Sequence, residues 1–385
     1  MKAIYLDCNA TQPVRPEVRR AIQPFLEDAF GNPSSLHSHG RRVREAVEEV
    51  RNRLLRALGD PKGRLIFTSG GTEADNLGVA GAARALRSKG DHLILSAVEH
   101  HAVLHAAEAL ARDGFRLSLL PVDSRGAVDP QAVSRAVTPK TILVSVMHAN
   151  NEVGTIQPIE EIGRIARERG ILFHTDAVQS FGKLELNASR MPADLLSISG
   201  HKLGGLKGAG ALYARQGVQL DPVLRGGPHE HGLRPGTEGV AGIAAMGAAA
   251  EAALAERDGG GTERMKILRD RLEQGLRERV PGVELNGHPS QRLPGTLNLS
   301  FAGCQGETLL MALDLAGISV STGSACASGS TEPSHVLTAM GLPPERIAGS
   351  IRFSLGWATA AEEIEEALRR IPPVIERVRS AKKAA

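Results

Sequence analysis

Aromatic side chains are scarce in this chain: Phe, Trp and Tyr make up 3% of its 385 residues, with a single Trp. A core of that composition is built from Ala, Val, Leu and Ile rather than from rings. Cysteine is nearly absent as well. The three residues Cys8, Cys304 and Cys326 are an odd number without a CxxC pair, so neither a disulfide framework nor a four-thiolate zinc site is expected, and a reducing, cytoplasmic setting fits best. Neither sign of charge dominates, since 46 Lys and Arg against 43 Asp and Glu leave +3, spread through mixed-sign stretches. Nucleic acid and an acidic membrane surface are therefore not expected as direct partners. Long hydrophobic runs are missing too. The longest, Val240 to Ala250, has 11 residues; it is too short for a bilayer and reads as a buried helix. The opening MKAIYLDCNAT lacks a charged segment followed by an apolar one, so no secretory signal is expected. No HExxH or Cys/His cluster supports a metal, and none is expected.

What is present is a long, glycine-rich, ordinarily hydrophobic sequence, with 43 Gly and 42% hydrophobic residues. At roughly 150 residues per domain its length predicts two domains, or one large domain with an appendage. From about residue 40 to 220, short apolar runs alternate with helical patterns. Val43, Val47, Val50, Leu54 and Leu58 recur at helical spacing, Leu65-Ile66-Phe67 reads as a strand, and strands are expected again at 92–96, 142–147 and 171–175. Such alternation predicts an α/β fold with a mostly parallel sheet covered on both faces. After Asp258-Gly-Gly-Gly261, read as a flexible break, the character changes. A helix with Met265, Leu268, Leu272 and Leu276 on one face is followed by two alternating segments, Thr296 to Phe301 and Ser350 to Leu355, which read as half-buried strands. In the second, Ile351, Phe353 and Leu355 share one face and leave Arg352 and Ser354 on the other. The tail from Ala360 reads as an amphipathic helix interrupted at Pro372-Pro373. The expected division is a large domain at 16–255, and a small α+β domain formed by 1–15 and 256–385.

Three segments carry residues suited to chemistry. In Phe67-Thr-Ser-Gly-Gly-Thr-Glu-Ala-Asp-Asn76 a strand ends in a Gly turn and a helix begins near Thr72. Unpaired amides at a helix start favour an anion such as phosphate; an ordinary turn with a Thr cap is the alternative. Asp176 ends the run Ile171-Leu-Phe-His-Thr175, and His201-Lys202 ends the run from Asp194. Both fall at carboxyl ends of strands, where open α/β sheets bind ligands. A Lys can form a Schiff base with an aldehyde cofactor and an Asp can keep a pyridine nitrogen protonated, although a plain ion pair would also explain them. Beside a phosphate cradle, they complete three parts of a pyridoxal 5′-phosphate site. Finally, Cys326 lies in Ser319-Val-Ser-Thr-Gly-Ser-Ala-Cys-Ala-Ser-Gly-Ser330, a run too poor in packing residues for a regular element. An exposed thiol there could attack sulfur; a spare loop cysteine is the alternative. Cys304 reads as structural and Cys8 as ambiguous. His100 could stack on a cofactor ring or sit idle at the surface, and Arg19-Arg20 and Arg41-Arg42 read as solvated helix faces.

Taken in order, the segments YLDCNAT, GNPSSLH, FTSGGTEADN, MHANNEVGTIQPI, HTDAVQS, SISGHKLGGLKGAGALY, GLRPGTE, STGSACASGS and SIRFSLG run nearly end to end. With them the chain resembles the NifS/IscS-like cysteine desulfurases, fold type I pyridoxal phosphate enzymes of the class V aminotransferase group. That resemblance implies a large domain with a mostly parallel seven-stranded sheet, and a smaller C-terminal domain carrying a catalytic cysteine loop at about 321–332. It implies that Lys202 is the Schiff-base lysine, Asp176 the partner of the pyridine nitrogen, and His100 the ring-stacking residue and a candidate base for the substrate thiol. Gln179 corresponds to the donor to the cofactor's phenolic oxygen. Gly71, Thr72, Ser199 and His201 correspond to the phosphate cradle, joined by Thr237 from a second subunit. Asn151 and Arg352 correspond to cofactor and substrate-carboxylate contacts, and Cys326 to the sulfur acceptor.

The implied reaction takes sulfur from L-cysteine, yielding L-alanine and a Cys326 persulfide. The SGSAC pattern is similar to the subgroup with the longer loop, which serves iron–sulfur scaffolds or tRNA-thiolation carriers, and a homodimer is expected. Two other readings of the same residues are a selenocysteine or cystine lyase and a catalytically idle dimeric scaffold. The chain departs from the family's usual residues at Cys8, Gln12, Leu206 and His231.

Overall fold

A computed structural model describes residues 3–322 and 332–384 of the chain. After the short strand β1 (Ile4–Tyr5) come seven strands: β2 (Arg64–Thr68), β3 (His92–Ser96), β4 (Arg116–Leu120), β5 (Thr141–Ser145), β6 (Leu172–Asp176), β7 (Leu195–Ser199) and β8 (Gly210–Ala214). They form one sheet in the order β2-β8-β7-β6-β5-β3-β4, parallel except where β8 pairs antiparallel with β2 and β7. Every residue of β3, β5, β7 and β8 is buried. A strand covered on both faces needs apolar residues on both, which is why Leu93-Ile94-Leu95 runs without alternation. Ile94 joins the apolar layer containing Val47, Leu54, Ile162 and Ala249. Leu93 and Leu95 join the opposite layer with Val103, Ala107 and Leu110 of helix His101–Arg112. The apolar run at 240–250 lies within a helix, Val240–Asp258, whose first half is largely buried.

Helix Gly261–Arg279 opens the smaller C-terminal part, after Gly260 takes the left-handed conformation at φ +87. Strands β9 (Val283–Asn286), β10 (Thr296–Phe301), β11 (Ile318–Ser319) and β12 (Ser350–Ser354) follow. An antiparallel sheet β12-β10-β9 and a parallel β1-β11 pair result. Ile4 and Leu6 share an apolar cluster with Leu272, Leu299, Phe353 and Leu368, so the first described residues pack on the last third of the chain.

Two expectations are corrected. Strands β10 and β12 are buried on both faces rather than half-buried. Their polar face meets other backbone instead of water. The Asn298 amide donates to the Glu152 carbonyl at 3.2 Å, and Ser354 Oγ accepts the Asn9 amide at 2.9 Å. The tail is also one helix, Ala361–Ala384, unbroken at Pro372-Pro373. Proline at 372 deprives the Leu368 carbonyl of its helical donor, and Arg279 Nη1 supplies another at 2.7 Å. Among the described residues, no helix is long and apolar enough to cross a membrane.

Candidate active site

Strands β2, β3, β5, β6 and β7 point the same way, so the segments leaving their carboxyl ends gather on one edge of the sheet. Gly71 and Thr72 follow β2, His100 follows β3, and Asn151 follows β5. Asp176 ends β6 with Gln179 beyond it; Ser199 ends β7 with His201 and Lys202 beyond. These ten residues, counting Arg352 from β12, all line one cavity of about 910 Å³. It lies where the switch-point rule for open sheets places a ligand.

The Gly turn is held by close packing. A Cβ on Gly210 would stand 2.5 Å from the Gly70 carbonyl carbon, so only glycine there lets the turn rest on β8. Thr68 Oγ1 donates to the Gly70 carbonyl at 2.9 Å, and the Glu73 carboxylate accepts the Ser69 amide at 2.7 Å. Gly71 then starts a helix, with Ser199 Cβ 3.5 Å from where its own Cβ would be. Ser199 Oγ is buried without a hydrogen-bond partner among the described residues. A helix start beside an orphaned hydroxyl suits a phosphate group.

Lys202 sits in the tight turn Gly200–Leu203, which ends at Gly204 with φ +87. Its Nζ donates to the Asn9 carbonyl and, at 2.8 Å, to that of Ala10. Asn9 is a hub. Its side-chain amide donates to the Asn151 carbonyl at 3.1 Å and to Thr296 Oγ1 at 2.9 Å, and its carbonyl also accepts Gln179 Nε2 at 2.9 Å. From the small sheet, Arg352 donates to the Asn151 carbonyl at 3.1 Å and to Asp7 at 2.8 Å. Its Nε is buried without a hydrogen-bond partner among the described residues.

The electrostatics favour a cationic guest. Burial raises the pKa of Asp176, although the Val178 amide at 2.8 Å and the charge of Lys202 pull it down. Asp75 is raised well above the carboxylate range by burial and by the charge of Asp176. His174, 3.6 Å from Asp75, cannot neutralise the pair, because burial pushes it down to about 3. Burial and the charge of Lys202 also push His100 and His201 down to about 4, so both rings are neutral at pH 7. His100 Nδ1 accepts the Ala102 amide at 3.1 Å and caps the helix that follows. A pyridinium N–H beside Asp176 would donate to its carboxylate and favour the ionised form.

Not every expected residue meets here. Thr237 is exposed and does not line the cavity, and Cys326 lies outside the described residues. Cys304 is buried in the apolar cluster of the smaller part. Cys8 is buried, and burial pushes its thiol up to about 12, so it stays protonated. Two residues of the cavity wall escaped the sequence reading, Asn9 and Asp75, and so did Lys183, which lines a small cleft behind Lys202. Asn9 and Asp75 stand inside quoted motifs, where a polar residue unexplained by any period was the only signal. Lys183 had no signal of that kind.

The sequence profile described as Aminotransferase class-V matches residues 4–367. A curated relative named Cysteine desulfurase IscS, from Dictyoglomus turgidum, is 49% identical over 379 residues, covering 98% of this chain and 96% of its own. A solved structure described as a NifS-like protein superposes with a TM-score of 0.91 at 36% identity, covering 97% of this chain and 100% of the other. Another, described as SspA in complex with cysteine, does so with a TM-score of 0.81 at 36% identity, covering 91% of this chain and 98% of the other.

Proposed function

Since this chain belongs to the aminotransferase class-V family, we propose that it is a cysteine desulfurase, taking sulfur from L-cysteine with the help of pyridoxal 5′-phosphate. The carrying observation is the convergence of Lys202, Asp176, His100 and the Gly71–Thr72 helix start on one cavity. The orphaned Ser199 hydroxyl and the buried carboxyl of Asp176 fit such a group. Bound there, pyridoxal phosphate supplies an aldehyde for amines and a protonated ring that withdraws electrons from the substrate's Cα.

Gly71, Thr72, Ser199 and His201 hold the phosphate in this reading, with Thr237 arriving from the second copy of a homodimer. Asp176 holds the ring nitrogen's proton, Gln179 donates to the ring oxygen, and His100 covers the ring. Arg352 and Asn151 bind the substrate carboxylate, which is a partner for the free Arg352 Nε. Lys202 takes the Cα proton, with the Asn9 and Ala10 carbonyls holding the ammonium that results. Cys326 Sγ then attacks the substrate sulfur. An S–S bond forms as the Cβ–S bond breaks, the electron pair and a proton end on Cβ, and Lys202 returns a proton to Cα, giving L-alanine and a Cys326 persulfide. The sulfur passes to an acceptor protein, such as an iron–sulfur scaffold or a tRNA-thiolation carrier. The division into a cofactor-binding domain at 16–255 and a small domain of 1–15 and 256–385 belongs to the same reading.

The test is to give the pyridoxal phosphate-loaded protein L-cysteine without an acceptor, and to quantify L-alanine and alkylated persulfide by mass spectrometry. One persulfide per chain at position 326 is expected. Cys326→Ser should retain the cofactor's absorption and lose the persulfide. Full sulfur release by that variant would show a lyase instead.

A further inference from the structure

A second lysine is buried directly behind the cavity. Lys183 is 9% exposed, and among the described residues no carboxylate lies within ion-pair distance of its amine. Its Nζ donates to Gln179 Oε1 at 3.2 Å. An ammonium group has donors and no acceptor, so the atom of Gln179 that faces it has to be the oxygen. The amide is thereby held with Nε2 on the opposite side, donating to the Asn9 carbonyl at 2.9 Å. That carbonyl also receives Lys202 Nζ. One amide and one carbonyl thus link two amines.

We propose that Lys183 is a positioning residue: it turns the Gln179 amide so that Nε2 serves the site, and it stands as a second cation against Lys202. This rests on the reading of Lys202 as the reacting amine. A buried ammonium without an anion is costly, and a Met or Leu would fill the same space without that cost. Burial and, next, the charge of Lys202 push Lys183 down to about 8. Facing Lys183 from other elements are Lys202, Arg352 and the protonated Cys8. Beside it in a small cleft are Arg257 and the ion pair of Arg15 with Glu256 at 2.6 Å. Facing Lys202 are Asp176 and the two neutral histidines, His100 and His201. The ammonium at 183 and that of Lys202 therefore repel one another across the shared carbonyl.

Three variants separate the roles. Lys183→Met removes charge and donor, Lys183→Gln removes the charge and keeps a donor, and Lys183→Arg keeps both. In pyridoxal phosphate-loaded protein, the pH midpoint of the near-visible absorption should rise by about one unit in Lys183→Met and Lys183→Gln and stay near the parent's in Lys183→Arg. Turnover should fall about tenfold further in Lys183→Met than in Lys183→Gln, which preserves the amide's orientation. In cofactor-free protein, acylation of Lys202 by acetic anhydride, followed by peptide mass spectrometry, should show the same upward shift. Unchanged midpoints in both neutral variants, at the parental Tm, would overturn the electrostatic role; equal turnover in the two would overturn the orienting one. If the parent took up no pyridoxal phosphate, the functional reading would fall, and the acylation midpoints would still decide for or against Lys183.

Discussion

The inner strands of the seven-stranded sheet and strands β10 and β12 of the small sheet are buried on two faces, but different partners cover them. The large sheet is apolar on both sides, with Ile94 in one layer and Leu93 and Leu95 in the other. The small sheet is apolar only where Ile351, Phe353 and Leu355 meet its own helices. On its other face Arg352, Ser354 and Asn298 are tied to Asp7, Asn9 and Asn151–Glu152. Alternation therefore reports two different environments, and the polar one need not be water. In this molecule it is one wall of the cavity.

That contrast can be broken at graded cost. Phe353→Ala should be the most damaging change, since its ring is fully buried and meets Phe301 edge-on at 6.3 Å between centroids. A loss of about 3–5 kcal/mol in denaturant unfolding is expected. A loss under about 1 kcal/mol would mean that this face is not a core.

Arg352→Ala attacks the polar face. It strips donors from Asp7 and the Asn151 carbonyl and should cost about 1–3 kcal/mol in the same measurement. It should also raise KM for L-cysteine roughly tenfold, if the guanidinium binds the substrate carboxylate. A KM equal to the parent's would confine Arg352 to a structural role.

The smallest effect is a pH dependence within this polar layer. Burial pushes Glu152 up to about 7, against the Ser334 hydroxyl at 2.6 Å and the charge of Arg352. Because the folded state holds this proton more tightly than the unfolded chain, the group's contribution is fully present below the ordinary carboxylate pKa. It is lost as pH rises through about 7. Glu152→Gln should therefore reduce the fall in Tm between pH 5 and pH 8 by about 2 °C. A parallel Tm profile would show that Glu152 does not ionise in the folded protein over that range.

Much of the site was legible before the fold. The strands at 92–96 and 171–175, the Gly turn at 69–71, and the acid and amine at 176 and 202 are announced by neighbouring residues, because strand periods and turn chemistry act locally. Arg352 was placed on the polar face of its strand by alternation alone. The prolines at 372 and 373 misled for the complementary reason. Their cost depends on whether the freed carbonyl finds another donor, and Arg279 stands 89 residues from the Leu368 carbonyl it satisfies. Asn9 offered only a polar residue outside any period and Lys183 offered nothing, because neither sits in a pattern of its own.

By itself, the sequence determined the order of elements, the apolar faces and the residue types at the strand ends. All of these follow from forces acting between near neighbours along the chain. Only the tertiary structure decided which buried polar atoms pair: Lys202 with a carbonyl 193 residues away, Arg352 with Asp7, Lys183 with the oxygen side of Gln179. The physical reason is that a buried donor must find an acceptor wherever the packed chain brings one, and no local period encodes that choice.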